Sequence, residues 1–180
     1  MPDILSVCLQ NILHSWQPGL QKQLSIIITT AGRWLFFFSE KSDAHKGEIT
    51  MSFMELANNR QSDRTFSTQE VNRKDLLKCV QAAQLAPSAC ISQPWKFIII
   101  DNQTLLQQAA AVIEGNPMKI NKFAAGAPVL VAVVEEPALL MNNTVSNRWA
   151  QFDLGSATEH FCLQAAELGL GTCIMGAFNE

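Results

Sequence analysis

The sequence lacks the motifs on which many enzymes build a reactive side chain or bind a nucleotide. No G-x-S-x-G pattern is present, which argues against a serine nucleophile of the hydrolase type. The three histidines are scattered, and no H-x-x-x-H or carboxylate cluster indicates a catalytic metal. GxxxxGK and GxGxxG are also missing, so neither a P-loop nor a dinucleotide-binding turn is predicted.

Positive charge is scarce as well. Thirteen lysines and arginines face 16 acidic residues, and the net charge of -3 gives no electrostatic reason to expect nucleic acid as a partner. The five cysteines are an odd number without C-x-x-C spacing, which favours reduced thiols in a cytoplasmic protein over a disulfide framework or a zinc site. A hydrophobic content of 48% is enough for the core of one domain.

The first fifty residues differ from the rest of the chain. Their apolar run "QLSIIITTAGRWLFFF" is interrupted by Arg33, and at about 15 residues it is shorter than the roughly 20 that a membrane-spanning helix needs. No small-residue cleavage site follows it, so neither a membrane anchor nor a signal peptide is predicted. We interpret residues 1–50 as a leader and Met51 as the start of the working protein. The codons for "KGE" just upstream can resemble a bacterial ribosome-binding site, although the same residues would also serve as a polar linker.

From Met51 onward the apolar pattern predicts alternating helices and strands. Ser52 and Glu55 form a capping-box pattern before a short helix with Phe53, Leu56 and Ala57 facing inward. The strands are too far apart for hairpins, so the order favours an α+β or α/β fold. The further predicted elements are a helix over 73–86 ended by Pro87, a strand over 95–101, a helix over 103–115 capped by Gly115, a buried strand over 128–136, and a long helix over 148–168 ended by Gly169 and Gly171.

One polar cluster could bind an anion. "RQSDR" places Arg60, Ser62 and Arg64 at alternate positions, so in an extended segment two guanidinium groups and a hydroxyl would share one face. Taken alone, such a charged run is more often a solvated surface.

Two further motifs join this cluster. The turn "APSACISQPW" begins at Ala86 and ends at Trp95, and "GLGTCIMG" runs from Gly169 to Gly176. With R-x-S-x-R, and in this order, they make the chain from about Met51 to Glu180 resemble the nitroreductase family of FMN-dependent oxidoreductases. The resemblance implies an α+β fold with a central mixed β-sheet wrapped by helices. It also implies a homodimer with FMN at the interface, and transfer of hydride from NAD(P)H to small electron acceptors such as nitroaromatics or quinones by a ping-pong cycle.

The resemblance assigns cofactor-binding roles residue by residue. The phosphate and ribityl chain would be held by the first motif, the isoalloxazine ring would lie on the turn, and backbone N–H groups after the third motif would meet the reactive edge of the ring. The residues concerned are Arg60, Gln61, Ser62 and Arg64, then Pro87, Ser88 and Ala89, and finally Met175 and Gly176. No catalytic side chain is implied, because the flavin itself carries out the hydride chemistry.

The chain departs from the family pattern in two places. Ile91 occupies a position in the turn where family members usually carry Asn. The family also continues beyond the position of Glu180 with a strand, a basic segment and an arm that embraces the partner subunit. We therefore expect the domain of residues 51–180 to be incomplete at its C-terminus, to dimerise poorly and to hold FMN weakly. The alternatives are another activity of the superfamily, such as flavin reduction or dehalogenation, or a catalytically silent flavin-binding fragment.

Overall fold

The computed structural model describes the backbone of residues 33–40 and the complete residues 51–114, 120–140 and 144–176. The strands are β1 (Arg33–Glu40), β2 (Trp95–Ile100), β3 (Val129–Glu135) and β4 (Leu170–Met175). The α-helices are α1 (Phe53–Asn59), α2 (Arg73–Gln84), α3 (Gln103–Glu114) and α4 (Ala150–Glu167). Two 3-10 helices cover Ala89–Ile91 and Lys122–Gly126.

The four strands form one sheet in the order β2-β3-β1-β4. All three strand pairings are antiparallel. The parallel component of the expected mixed sheet is limited, among the described residues, to an isolated bridge between Ser62 and Thr172. The predicted α+β class is confirmed.

Helices cover both faces of this sheet because β3 is apolar on both sides. Val129, Val131 and Val133 pack in one core with α2 and α4. Leu130 and Val134 point the other way and pack in a second core with α3 and the 3-10 helix at 122–126. The predicted continuous apolar strand is therefore confirmed. Its alternate side chains pack against different helical layers.

The capping box at the start of α1 is present. The Glu55 backbone N–H donates to Ser52 Oγ (3.2 Å), and the Ser52 N–H donates to Glu55 Oε2 (2.7 Å). The inward position predicted for Phe53 is wrong, because this side chain is 68% exposed. A helix of seven residues is too short to bury a full apolar stripe, and only its Leu56–Ala57 side is half-buried.

Helices α2 and α4 each bury one apolar side. α2 buries Leu76 and Ala83 and ends before Pro87, and α4 buries Leu154, Phe161 and neighbouring small residues. None of the helices in the described part of the chain combines the length and apolarity needed to cross a membrane. The predicted cap Gly115 lies outside the described residues.

The end of α4 was predicted only in part. Gly169 does follow the helix, with a left-handed φ of 75°. Gly171, however, does not belong to the helix terminus, because it lies inside β4. The strand was missed because the two glycines of "LGLG" at residues 168–171 favour a turn, whereas β4 gains its order by pairing with β1.

β1 lies within the first fifty residues, where no strand is predicted from the sequence. It occupies a central position in the sheet, between β3 and β4. Residues 1–32 and 41–50 of the predicted leader lie outside the described residues. The assignment of residues 1–50 as a leader stays a prediction.

Candidate functional site

The segment after α1 runs beside β4 and brings two of the three motifs together. Ser62 forms a parallel bridge with Thr172, and the Asp63 N–H donates to the Thr172 carbonyl oxygen over 2.9 Å. The chain becomes extended at Arg60, which is the C-cap residue of α1. R-x-S-x-R and G-L-G-T-C are therefore neighbours in space.

Gly171 allows this close approach. A Cβ atom built at Gly171 would lie 2.5 Å from Asp63 Oδ2, a separation that real Cβ atoms do not show. The Asp63 Oδ2 atom is itself buried and has no hydrogen-bond partner among the described residues. Asp63 has no role in the motif as predicted, and the structure shows that it is the residue that packs on β4.

The two guanidinium groups of the first motif contact different layers of the protein. Arg60 Nε lies 3.6 Å from Glu159 Oε1 on α4. Arg64 donates to the Ser62 carbonyl oxygen (3.3 Å), and its guanidinium carbon lies 5.9 Å from the centre of the Phe123 ring, in the opposite helical layer. The described residues thus provide no partner shared by both groups, and their convergence on one anion stays a prediction. Each guanidinium carries five N–H donors, so these contacts leave donors for a further acceptor.

The turn that follows α2 is closed by its own side chains. Ser88 Oγ accepts a hydrogen bond from the Gln93 N–H (3.0 Å), and Gln93 Nε2 donates to the Gln84 carbonyl oxygen at the end of α2 (2.7 Å). Pro87 is exposed, whereas Ser88 and Ala89 are half-buried. The predicted ring-binding residues therefore form one small-residue surface, bounded by these hydrogen bonds.

The backbone of the turn is strained at three positions. Cys90, Ile91 and Gln93 have φ values of 54°, 56° and 44°. The left-handed region costs a residue with a Cβ atom about 1–2 kcal/mol, and a β-branched side chain is the least suited to it. Ile91 therefore occupies a conformation in which the Asn usual in this family would be accommodated more easily.

A buried carboxylate on α4 holds the turn in place. The Ala89 N–H donates to Asp153 Oδ1 over 3.0 Å, and Asp153 is only 7% exposed. Asp153 Oδ2 is buried without a partner in the described part of the chain. Asp153 is not among the predicted site residues. The available signal was its position on the buried stripe of α4, between Ala150 and Leu154, where a charged side chain needs a partner.

The last two predicted site residues lie at the end of β4. Met175 is the final strand residue and is buried in the second core, and Gly176 follows it on the surface. This arrangement leaves the Gly176 backbone accessible at the sheet end. Presentation of its N–H to a flavin stays a prediction.

Thiolate and metal chemistry find little support in the described residues. Burial raises the pKa of the Cys79 and Cys162 thiols to about 12, so both remain protonated at neutral pH. Residues 51–114, 120–140 and 144–176 contain no group of three or more His, Cys, Asp or Glu side chains that could hold a metal ion. The Nδ1 atom of His160 lies 2.9 Å from the Ser156 carbonyl oxygen of its own helix.

Known proteins resemble the chain in both sequence and structure. The family model described as "Nitroreductase family" matches residues 57–180. A protein of Archaeoglobus fulgidus, provisionally named NADH dehydrogenase/NAD(P)H nitroreductase, is 32% identical over 119 residues, which are 66% of this chain and 64% of that protein. The chain spans less than two-thirds of the length of the curated archaeal relatives it matches.

Two solved structures show the same architecture. A nitroreductase family protein from Clostridium novyi NT superposes with a TM-score of 0.61 at 31% identity, over 72% of each chain. An FMN-dependent nitroreductase from Clostridium difficile R20291 superposes with a TM-score of 0.52 at 28% identity, over 66% of this chain and 63% of that one.

Proposed function

The chain belongs to the nitroreductase family, and on this premise we propose that it is an FMN-dependent oxidoreductase. It would transfer hydride from NAD(P)H to small electrophiles such as nitroaromatics or quinones. The two substrates would occupy the site in turn, in a ping-pong cycle. As the family resemblance implies, the protein would act as a homodimer, and its reduced cysteines fit a cytoplasmic location.

The observation that carries this proposal is the pairing of residues 62–63 with Thr172. It sets the segment proposed for the phosphate alongside β4, and Gly176, proposed for the ring edge, follows the end of the same strand. β4 therefore connects the phosphate end of the proposed FMN site with the end that would hold the ring edge.

The side chains of the proposed FMN site fit the phosphate and the flat ring that they would hold. Arg60 and Arg64 supply charge-assisted donors suited to a phosphate, and the exposed Ser62 and Gln61 add neutral polar groups. Pro87, Ser88 and Ala89 have small side chains, which let the backbone approach a flat ring. When bound, FMN would supply the hydride chemistry.

The protein's own contribution is binding and positioning. Asp153 holds the turn through the Ala89 N–H, so the ring-binding surface is tied to a helix instead of moving with its loop. The N–H groups near Met175 and Gly176 would be aimed at the reactive edge of the ring and would favour negative charge there. A protein acid or base is not required by this arrangement.

The first experiment follows the absorbance of the purified chain after incubation with FMN. Because we expect weak binding, FMN is kept in excess, and the bound flavin should be bleached by NAD(P)H in the absence of oxygen and recoloured by a nitroaromatic or quinone. A chain that stays colourless and does not take up FMN would contradict the proposal and would favour the silent fragment. A chain that is bleached but reduces only free flavin would favour flavin reduction as its activity.

A second experiment tests the phosphate role of Arg60. A charge-assisted hydrogen bond contributes about 1.5–3 kcal/mol, so Arg60→Ala should weaken FMN binding by about ten- to a hundredfold. The binding of riboflavin, which has no phosphate, should be weakened much less by the same substitution. Arg73→Ala is the matched control, because Arg73 pairs with Asp101 over 2.7 Å outside the site. Equal losses of FMN and riboflavin in the Arg60 variant would exclude a phosphate contact.

A further inference from the structure

Glu159 on α4 lies beside the guanidinium group of Arg60, the first arginine of R-x-S-x-R. The Arg60 Nε and Glu159 Oε1 atoms are 3.6 Å apart. This separation is within the range of an ion pair but longer than the roughly 2.7–3.2 Å of an N–H···O hydrogen bond. Both side chains are also partly exposed. The two charges therefore attract each other, but no hydrogen bond locks them together.

A second observation places both charges where α4 meets β4. Burial raises the pKa of the Cys162 thiol to about 12, against the opposing effect of a hydrogen bond with the Thr172 side chain. Smaller effects on the same pKa come from Glu159, which raises it, and from Arg60, which lowers it. The backbone of Thr172 also pairs with residues 62–63. The Glu159 carboxylate is thus next to the segment proposed for the phosphate.

Arg64, the second arginine of the motif, has different surroundings. Its guanidinium group donates to the Ser62 carbonyl oxygen and lies over the Phe123 ring. No carboxylate of the described residues forms an ion pair with it. Within this part of the chain, the positive charge of the motif is therefore offset at Arg60 and not at Arg64.

A phosphate bound at Arg60 would have to share that cation with Glu159. A phosphate monoester carries a charge of about -1.5 to -2 at neutral pH, so it and the carboxylate repel each other. The terminal nitrogens of the guanidinium group remain available to a phosphate, because Glu159 contacts Nε. Both anions can thus reach Arg60, but each lowers the attraction available to the other. Riboflavin carries no phosphate and is not subject to this competition.

We propose that Glu159 is a specificity-determining residue of the flavin site. By competing for Arg60 it lowers the affinity for FMN, and it thereby sets how strongly the site prefers FMN over riboflavin. This inference rests on the proposed function, because it takes Arg60 as a contact of the FMN phosphate. It also gives a cause, within the described residues, for the weak FMN binding that we expect.

The test measures the binding of FMN and riboflavin to the full chain by titration calorimetry. An exposed ion pair is weak, so Glu159→Gln should strengthen FMN binding by only about two- to fivefold and leave riboflavin binding unchanged. Glu167→Gln is the matched control, because it removes the same charge from the same helix about 12 Å further along its axis. That separation exceeds the screening length of about 10 Å at 0.1 M salt. An equal gain for both flavins, or an equal gain in the control, would overturn the proposal.

A double variant tests whether Glu159 acts through Arg60. In the Arg60→Ala background the ion pair is already broken, so adding Glu159→Gln should no longer strengthen FMN binding. A gain as large as in the wild-type background would show that Glu159 does not act through Arg60, and the proposal would be wrong.

Inorganic phosphate separates this inference from the proposed function. The melting temperature is followed against phosphate concentration at constant ionic strength, because a ligand of the folded chain raises it by mass action. Glu159→Gln should lower the apparent dissociation constant for phosphate by about two- to fivefold. If no variant takes up FMN, the proposed function fails, and the phosphate titration decides on Glu159 alone. Tighter phosphate binding by the variant would then support the role of Glu159, and equal binding by both proteins would refute it.

Discussion

Ile91→Asn should stabilise the protein by relieving strain in the turn after α2. Ile91 has a φ of 56°, and its side chain is 85% exposed. The substitution therefore removes little packing and acts mainly on the backbone conformation. Asn enters the left-handed region more readily than a β-branched residue, because its short polar side chain can hydrogen-bond locally.

The magnitude follows from the conformational penalty. In the left-handed region a residue with a Cβ atom lowers the free energy of unfolding by about 1–2 kcal/mol, of which Asn should recover roughly 1 kcal/mol. For a chain of this size that gain corresponds to a rise in melting temperature of about 2–4 °C. Ile91→Gly should gain less, because the greater freedom of glycine in the unfolded chain offsets about 0.5–1 kcal/mol.

The assay is denaturant unfolding, with the midpoint compared at an unchanged m-value. Leu85→Asn is the matched control, since Leu85 is 83% exposed but has an ordinary φ of -84°. Both substitutions remove exposed apolar surface, and only the one at Ile91 relieves backbone strain. If the two variants were equally stable, the strain in the turn would not be the cause and the reasoning would be refuted.

Two further predictions concern packing and thiol reactivity. Gly171→Ala should destabilise the protein by about 1–3 kcal/mol, because its Cβ atom would meet Asp63, whereas Gly126→Ala has open space around it and should change the unfolding midpoint little. If Gly171→Ala lowered the stability no more than Gly126→Ala, the close approach of Asp63 to Gly171 would be contradicted. At pH 8 iodoacetamide should modify the exposed Cys90 well before the buried Cys79, because burial raises the pKa of Cys79 to about 12. Peptide mass mapping measures the order of modification, and modification of Cys79 first would contradict the prediction.

The elements that could be predicted from the sequence carry their own signal. The helix predicted from residue 73 and its end before Pro87 depend on local features, and the structure reproduces both. β3 was identifiable because a continuous apolar run of that length is typical of a strand covered on both faces. In these cases hydrophobic burial and local backbone preference favour the same structure.

The two missed strands depend on partners that are distant in sequence. β4 contains Gly171, which locally disfavours a strand, and it is ordered by pairing with β1 and by the contact of Asp63. β1 comes from an apolar run in which the sequence predicts no strand, and this strand is ordered by its ladders to β3 and β4. No local pattern contains that information.

The candidate site shows the same division. The three motifs identify the segments of the site, but not the residues that hold them in place. Asp153 is 64 positions from Ala89 along the chain, and their hydrogen bond exists only because α4 packs against α2 and its turn. Nor does the spacing of Arg60 and Arg64 reveal that Glu159 and Phe123 draw them towards opposite layers.

α4 provides the common frame for these segments. Asp153 in its first turn fixes the strained turn, and Glu159 further along pairs with Arg60. Six residues at 1.5 Å each place these two anchors about 9 Å apart along a rigid axis. α4 therefore contacts both the proposed ring-binding turn and the proposed phosphate-binding segment, while residues 62–63 are also held to β4. Since the Arg60 pair is loose and partly exposed, it contributes little stability, so the buried Asp153 must be the stronger of the two constraints.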